Sequence, residues 1–274
     1  MLAFHLLGSM LAAAPPPSPS VGVEVFRQNE SPYFCVKIPE LLQLESGVLL
    51  AFGEARMFSC GDYTATDLVV KRSTSAGQTW GPLQVVSSMS KHGRINNTVG
   101  NAAPVQLRGS GRVLVPFCLN NSKSMFLTWS DTDGASWAPP IPIPREDAAL
   151  ASWNWVGLGP PGAIQLRTGR ILVPAYHSVY GTYPQDDNGD WSHGHVLLSD
   201  DNGSSWKLGA TQFGRGSHYS NECQAVELRN GSVLIISRSI SDPVWQPHHL
   251  GTLSDDGGPL PTPHPHDTTE HLFA

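Results

Sequence analysis

Charge is scarce in this chain: only 15% of its 274 residues are Asp, Glu, Lys or Arg. The 17 basic and 23 acidic residues leave a formal net charge of −6. That balance excludes a general nucleic-acid or anionic-membrane surface, while one local cationic pocket remains compatible with it. No stretch approaches the roughly 18 uninterrupted apolar residues that span a bilayer, so no transmembrane segment is expected. After residue 20 there is no sustained 3.6-residue apolar stripe either, so helix should be minor. Cysteine is sparse. Cys35, Cys60, Cys118 and Cys223 are too few and too scattered for a disulfide framework, and none has the C-x-x-C spacing of a zinc site. One bridge is allowed, but the spacing does not choose among the three full pairings or between a bridge and buried thiols. The histidines between His248 and His271 also lack paired metal-ligand spacing. No metal and no cofactor are expected.

The apolar fraction, 40%, is enough for a sizeable core. Residues 1–14 form a short apolar run closing on Ala12-Ala13-Ala14, which suits a cleaved signal peptide and entry into the secretory pathway, extracellular or lysosome-like. Five N-x-[ST] acceptors, at Asn29, Asn96, Asn120, Asn202 and Asn230, favour the same route. Residues 15–20 read as a Pro/Ser linker, 21–258 as the folded unit and 259–274 as a Pro/His-rich disordered tail.

Three stretches fit S-x-D-x-G-x-[ST]-W or nearly so: Ser73 to Trp80 around Gly77, Ser130 to Trp137 around Gly134, and Ser199 to Trp206 with Asp201 and Gly203. Short Ser and Asp side chains bond the turn's own backbone, Gly supplies a left-handed position, and Trp folds under as an apolar plug. These are structural hairpins that touch no substrate. Between them recurs a second phrase, Gln or Glu, Leu, a Gly-containing turn, then a short apolar strand, around Gly47, Gly111, Gly169 and Gly231. Both signals repeat at about 60 residues, the length of a four-stranded blade with generous loops, so the fold is expected to be an all-β propeller. A fourth hairpin starts at Ser254-Asp255-Asp256-Gly257-Gly258, but Leu260 and Pro261 stand where Ser/Thr and Trp belong.

Polar residues that break the strand logic are the candidates for chemistry. Lys37 sits inside an apolar strand; Glu54 and Arg56 follow another, with Asp62 in the next loop; Glu222 opens the fourth phrase and Arg238 ends its apolar strand. Propellers gather ligands where inner strands converge on the axis. At these residues the chain resembles the exo-α-sialidase (neuraminidase) family of six-bladed propellers. Val36-Lys37-Ile38-Pro39 is similar to the family's F-R-I-P, and Leu49 to Arg56 with the loop Asp resembles its next segment. Gly100-Asn101-Ala102-Ala103-Pro104 and Gly159 to Leu166 resemble its blade entries, and Asn221-Glu222-Cys223-Gln224 through Arg238 its catalytic Glu and second arginine. The likeness runs over about residues 24–245.

The resemblance implies a sialidase-like β-propeller with about four of six blades present, C-terminally incomplete, acting on a sialylated glycan. It makes Asp62 the acid/base and Glu222 the carboxylate that takes the proton of an attacking Tyr. Lys37, Arg56, Arg238, Tyr176 and Asn101 fall on substrate-binding positions. Lys37 replaces an arginine of the clamp that grips the sialic carboxylate, keeping charge but losing the bidentate fork. No Tyr follows Tyr219 and no Arg follows Arg238, so the family's nucleophile and third arginine have no counterpart here. The expected function is removal of terminal α-linked sialic acid from glycoproteins or glycolipids, with little turnover by this chain. The alternatives are a non-catalytic, glycan-binding propeller remnant and a hairpin-box propeller with another ligand.

Overall fold

A computed structural model describes residues 22–30, 32–88, 98–119, 124–144, 151–160, 162–178, 193–213, 218–241 and 249–257. The expected leader (1–14), linker (15–20) and tail (259–274) lie outside them, as do Asn96 and Asn120.

The strands form four sheets in a propeller arrangement. Blade I is β1 (Cys35–Gln43), β2 (Leu49–Arg56), β3 (Thr66–Ser73) and β4 (Gln84–Ser87), paired in that order. In blade II the inner strand is split into β5 (Val99–Gly100) and β6 (Val105–Gln106), both pairing β7 (Val113–Leu119), followed by β8 (Ser124–Ser130) and β9 (Ile141–Pro142). Blade III repeats this with β10 (Trp155–Leu158) and β11 (Ile164–Gln165) on β12 (Ile171–Ser178), then β13 (His193–Ser199) and β14 (Lys207–Phe213). Blade IV has β15 (His218–Glu227), β16 (Val233–Ser241) and β17 (His249–Ser254). All pairings within the blades are antiparallel.

The apolar strands that follow each Gly turn in the sequence are the second strands of the blades. β7 and β12 are buried at every position and β2 at all but its first, because both faces are covered, by neighbouring blades for β7 and β12 and by blade II and the segment around Phe26 and Tyr33 for β2. Three clusters fill the interfaces. Phe52, Leu68, Val113 and Phe117 join blades I and II. Leu114, Met125, Val156 and Leu197 join II and III, and Leu172, Val196, Val233 and Ile235 join III and IV.

The hairpin boxes of blades II and III lock each blade onto the previous one, while Gly77 of blade I meets Leu49 of its own blade. In each of the three, the Ser hydroxyl accepts from the Gly N–H: Gly77 to Ser73 at 3.0 Å, Gly134 to Ser130 at 2.9 Å, Gly203 to Ser199 at 2.8 Å. The residue before each Gly is left-handed as well (Ala76, Asp133, Asn202), so the pair makes the doubly left-handed turn that matches strand twist. A Cβ on Gly134 would stand 2.5 Å from Leu50, and one on Gly203 2.8 Å from Leu114. A Cβ on Gly257, whose N–H bonds Ser254 at 3.0 Å, would strike Leu172 in the same way. The fourth hairpin therefore seats as the others do as far as Gly257, although its Ser lies three residues before the Gly instead of four.

Blade I carries a strap, residues 22–30 and 32–34, on its outer face. Tyr33 donates to Asp67 at 2.7 Å, and Lys71 pairs with Glu30 at 2.6 Å. Of the pairings the sequence left open, Cys35–Cys60 is the disulfide, while Cys118 and Cys223 are buried free thiols.

Candidate functional site

Every inner strand is broken near its middle by a left-handed residue. These are Ile38 (φ 50°), Asn101 (φ 52°), Gly159 (φ 53°) and Glu222 (φ 24°). In β1 the register shifts between Lys37 and Glu40, and in β15 between Asn221 and Cys223; Asn101 and Gly159 fall in the gaps of blades II and III. Such bulges turn a side chain out of the strand's alternation. Left-handed non-glycine residues cost about 1–3 kcal/mol each, most for a β-branched one, and persist where the surroundings hold them. Here Ile38, Asn101 and Glu222 all line one pocket.

Glu54 and Arg56, two apart on β2, share a face of the strand. Arg56 is almost fully buried. One guanidinium nitrogen donates to Glu54 at 2.7 Å, and another donates at 2.7 Å to Asp62, whose side chain is 75% exposed at the pocket rim. That second nitrogen also reaches the carbonyl of Cys60, while the buried Nε–H has no partner. The other Glu54 oxygen accepts the backbone N–H of Asn101 at 2.9 Å and presses on Gly100, where any side chain would collide with it. Glu54 thus ties the cation of blade I to the bulge of blade II.

From blade IV, Arg238 pairs with Glu222 at 2.9 Å and donates to the side chain of Asn221 at 3.3 Å. Burial pushes the Glu222 carboxyl upward; Arg238 pulls against this, and the nearby Asp62 and Glu54 charges add to the rise. Asn101 donates to the Tyr176 hydroxyl at 3.2 Å, joining blades II and III. Trp155 packs on the Tyr176 ring at 4.7 Å. The pocket therefore offers two guanidinium groups, three carboxylates and an apolar, hydroxyl-bearing wall.

Of the residues singled out in the sequence, Arg56, Asp62, Asn101, Tyr176, Glu222 and Arg238 are brought together. Lys37 is not. It is exposed and lines a separate shallow cleft with Phe26, Arg27 and Cys60, because the bulge after it turns Ile38 to the pocket instead. The box residues Ser73, Gly77, Trp80, Ser130, Gly134, Trp137, Ser199, Asp201, Gly203 and Trp206 are likewise absent from the pocket lining. Ile38 and Trp155 were missed as pocket residues; Glu54 stood among the polar candidates at strand ends but was given no role in the site.

Human sialidase-4 is 28% identical over 235 residues, covering 76% of this chain and 46% of its own length. A sialidase of Paraclostridium sordellii is 24% identical, covering 68% of this chain and 49% of its own. This chain spans about half the length of the curated relatives it matches. Among solved structures, a Hadza microbial sialidase superposes with a TM-score of 0.71 at 22% identity, over 85% of this chain and 47% of that one. Trypanosoma rangeli sialidase in complex with sialic acid gives 0.67 at 18% identity, over 88% and 41%. Residues 49–267 match the BNR repeat-like domain, and the chain belongs to that family, as a sialidase-like β-propeller.

Proposed function

We propose that this pocket recognises a terminal α-linked sialic acid of glycoproteins or glycolipids and carries the acid/base half of an exo-α-sialidase site. The observation that supports this most is the convergence of Arg56–Asp62 from blade I and Glu222–Arg238 from blade IV on one cavity. Guanidinium groups suit a sugar carboxylate because their planar forks match its two oxygens. Asp62, exposed at the rim, suits proton donation to a leaving glycosidic oxygen and then proton uptake from water. Glu222, whose carboxyl holds its proton to higher pH than usual, suits acceptance of a proton from an attacking hydroxyl. The glycan-binding reading uses the same pocket and differs from this one in binding without release.

The experiment is to mix the purified 274-residue polypeptide with a fluorogenic α-sialoside and follow both binding and release. Binding with slow release, the release abolished by Asp62→Asn and by Glu222→Gln, supports the proposal. Absence of binding contradicts it, and binding without release favours the glycan-binding reading.

A further inference from the structure

Blade III carries three histidines on one face. His177 on β12 stands opposite His193 on β13, and His195 lies two residues further along β13. His177 and His195 meet nitrogen to nitrogen, Nδ1 to Nδ1, at 3.1 Å, both buried. Trp153 stacks flat on the His177 ring, with centroids 3.5 Å apart, and its own ring is 4.7 Å from that of His195. This face looks toward blade II: Val156, the strand partner of His177, accepts from the Cys118 thiol at 3.3 Å.

Among the described residues, β7, β8, β10, β12 and β13 contain no Asp, Glu, Lys or Arg. β15 packs on the opposite face of blade III, where Cys223 meets Leu172 and Val196, and its Glu222 and Glu227 are paired with Arg238 and Arg167. Among the described residues, the titratable groups facing the pair are His193 and the Cys118 thiol, with the Tyr176 phenol on the opposite face of β12; Lys207 of β14 is engaged with Asp200. No three His, Cys, Asp or Glu side chains are placed to hold a metal among the described residues. The ligand this pair is built to meet is therefore the proton.

The hydrogen-bond arithmetic allows one proton between the two Nδ1 atoms. His195 Nε2 is buried without a partner. An orphaned N–H is rarer than an orphaned acceptor in folded proteins, so we assign Nδ1–H to His195 as donor and the Nδ1 lone pair to His177 as acceptor. A proton added to His177 at Nδ1 would set two N–H groups against each other; one added to His195 at Nε2 would bury a donor with no acceptor. Burial first, then the charge of His193, pushes His177 down to about 3; burial, then the charge of His177, pushes His195 well below the ordinary histidine range, against a backbone hydrogen bond with His193 that raises it.

We propose that the His177–His195 pair is an acid-sensitive latch within blade III: neutral, it holds β12, β13 and Trp153 together, and in acid it releases the wall of the pocket. Release reaches the pocket because segment 153–155 touches both. Trp153 lies on His177, and Trp155 lies on Tyr176, whose hydroxyl is the blade II–blade III contact to Asn101. The latch is independent of which ligand the pocket takes.

The sign follows from linkage. Both folded values are depressed, so the stability contributed by neutral burial is complete above the unfolded histidine value of about 6.5 and is lost as the pH falls below it. Each buried neutral histidine that protonates on unfolding steepens the unfolding constant by about tenfold per pH unit in that window. Urea unfolding between pH 7.5 and 5 should therefore show a wild-type slope that the double variant His177→Phe, His195→Leu flattens by about 100-fold per pH unit. An unchanged slope overturns the latch. Two readings need no variant: histidine-ring NMR should show both rings neutral in the folded protein at pH 5, and hydrogen exchange across residues 153–158 and 171–178, corrected for intrinsic pH dependence, should quicken between pH 7 and 5. A ring that titrates near 6.5 while the protein stays folded, or corrected exchange that does not change, overturns it equally.

Discussion

Glu54 shows how one buried carboxylate organises this pocket. It accepts from Arg56 and from the backbone of Asn101, so it both orients a cation and secures a strained residue on another blade. Replacing it with Gln keeps the shape but makes one hydrogen bond to Arg56 neutral and sets an amide against a second donor. The expected cost is about 2 kcal/mol, measured by urea denaturation, with α-sialoside affinity falling at the same time. A stability loss with affinity unchanged would mean that Glu54 serves the fold alone. At this scale the sequence was informative about charge and silent about direction. Arg56, Asp62, Glu222 and Arg238 stand out because cations and carboxylates at strand ends need a reason. Lys37 stands out for the same reason yet points elsewhere, because a one-residue bulge at Ile38 exchanges which side chain faces in, and no local pattern announces a bulge.

At the scale of the element, the hairpin box is the repeated joint. Its Ser, Gly and Trp were legible because turn chemistry is local. Its role in joining blades was not, since the contact of Gly134 with Leu50 or of Gly203 with Leu114 links residues far apart in the chain. Gly203 has φ 89°, and an added methyl would press into Leu114. Gly203→Ala should therefore destabilise the chain by about 1–3 kcal/mol through backbone strain and overpacking, seen as a lowered thermal midpoint. Gly22, where a Cβ meets nothing, gives the control, since Gly22→Ala should leave the midpoint unmoved. If the two variants melt alike, the box is not the joint described. The same period that revealed the boxes also predicted the blades, while the split inner strands of blades II and III were not foreseen, because two-residue pieces such as β5 and β6 carry no periodicity.

Among the described residues, the three blade interfaces leave one row without a counterpart. In blade IV, Val226, Leu234 and Leu253 are strand partners in line, and Val226 and Leu253 are 48% and 60% exposed. The corresponding Leu50, Leu114 and Leu172 are each covered by the next blade's Gly. An open apolar row on a sheet favours association. Sedimentation velocity should show self-association that rises with concentration and is reduced by Leu253→Lys; a concentration-independent monomer would remove this reading. Blade I differs because its outer face is held by Tyr33 and Glu30.

The central claim concerns the pocket that blades I to IV enclose together, and the most direct test is calorimetric titration of the intact chain with a methyl α-sialoside. Saturable binding is expected, weakened at least about tenfold by Arg238→Met, in line with the loss of a charge-assisted hydrogen bond. Arg112→Met, which removes an equal charge from an exposed pair with Asp131, should leave it unchanged. No binding, or equal weakening by both substitutions, would contradict the assignment of this pocket to sialic acid.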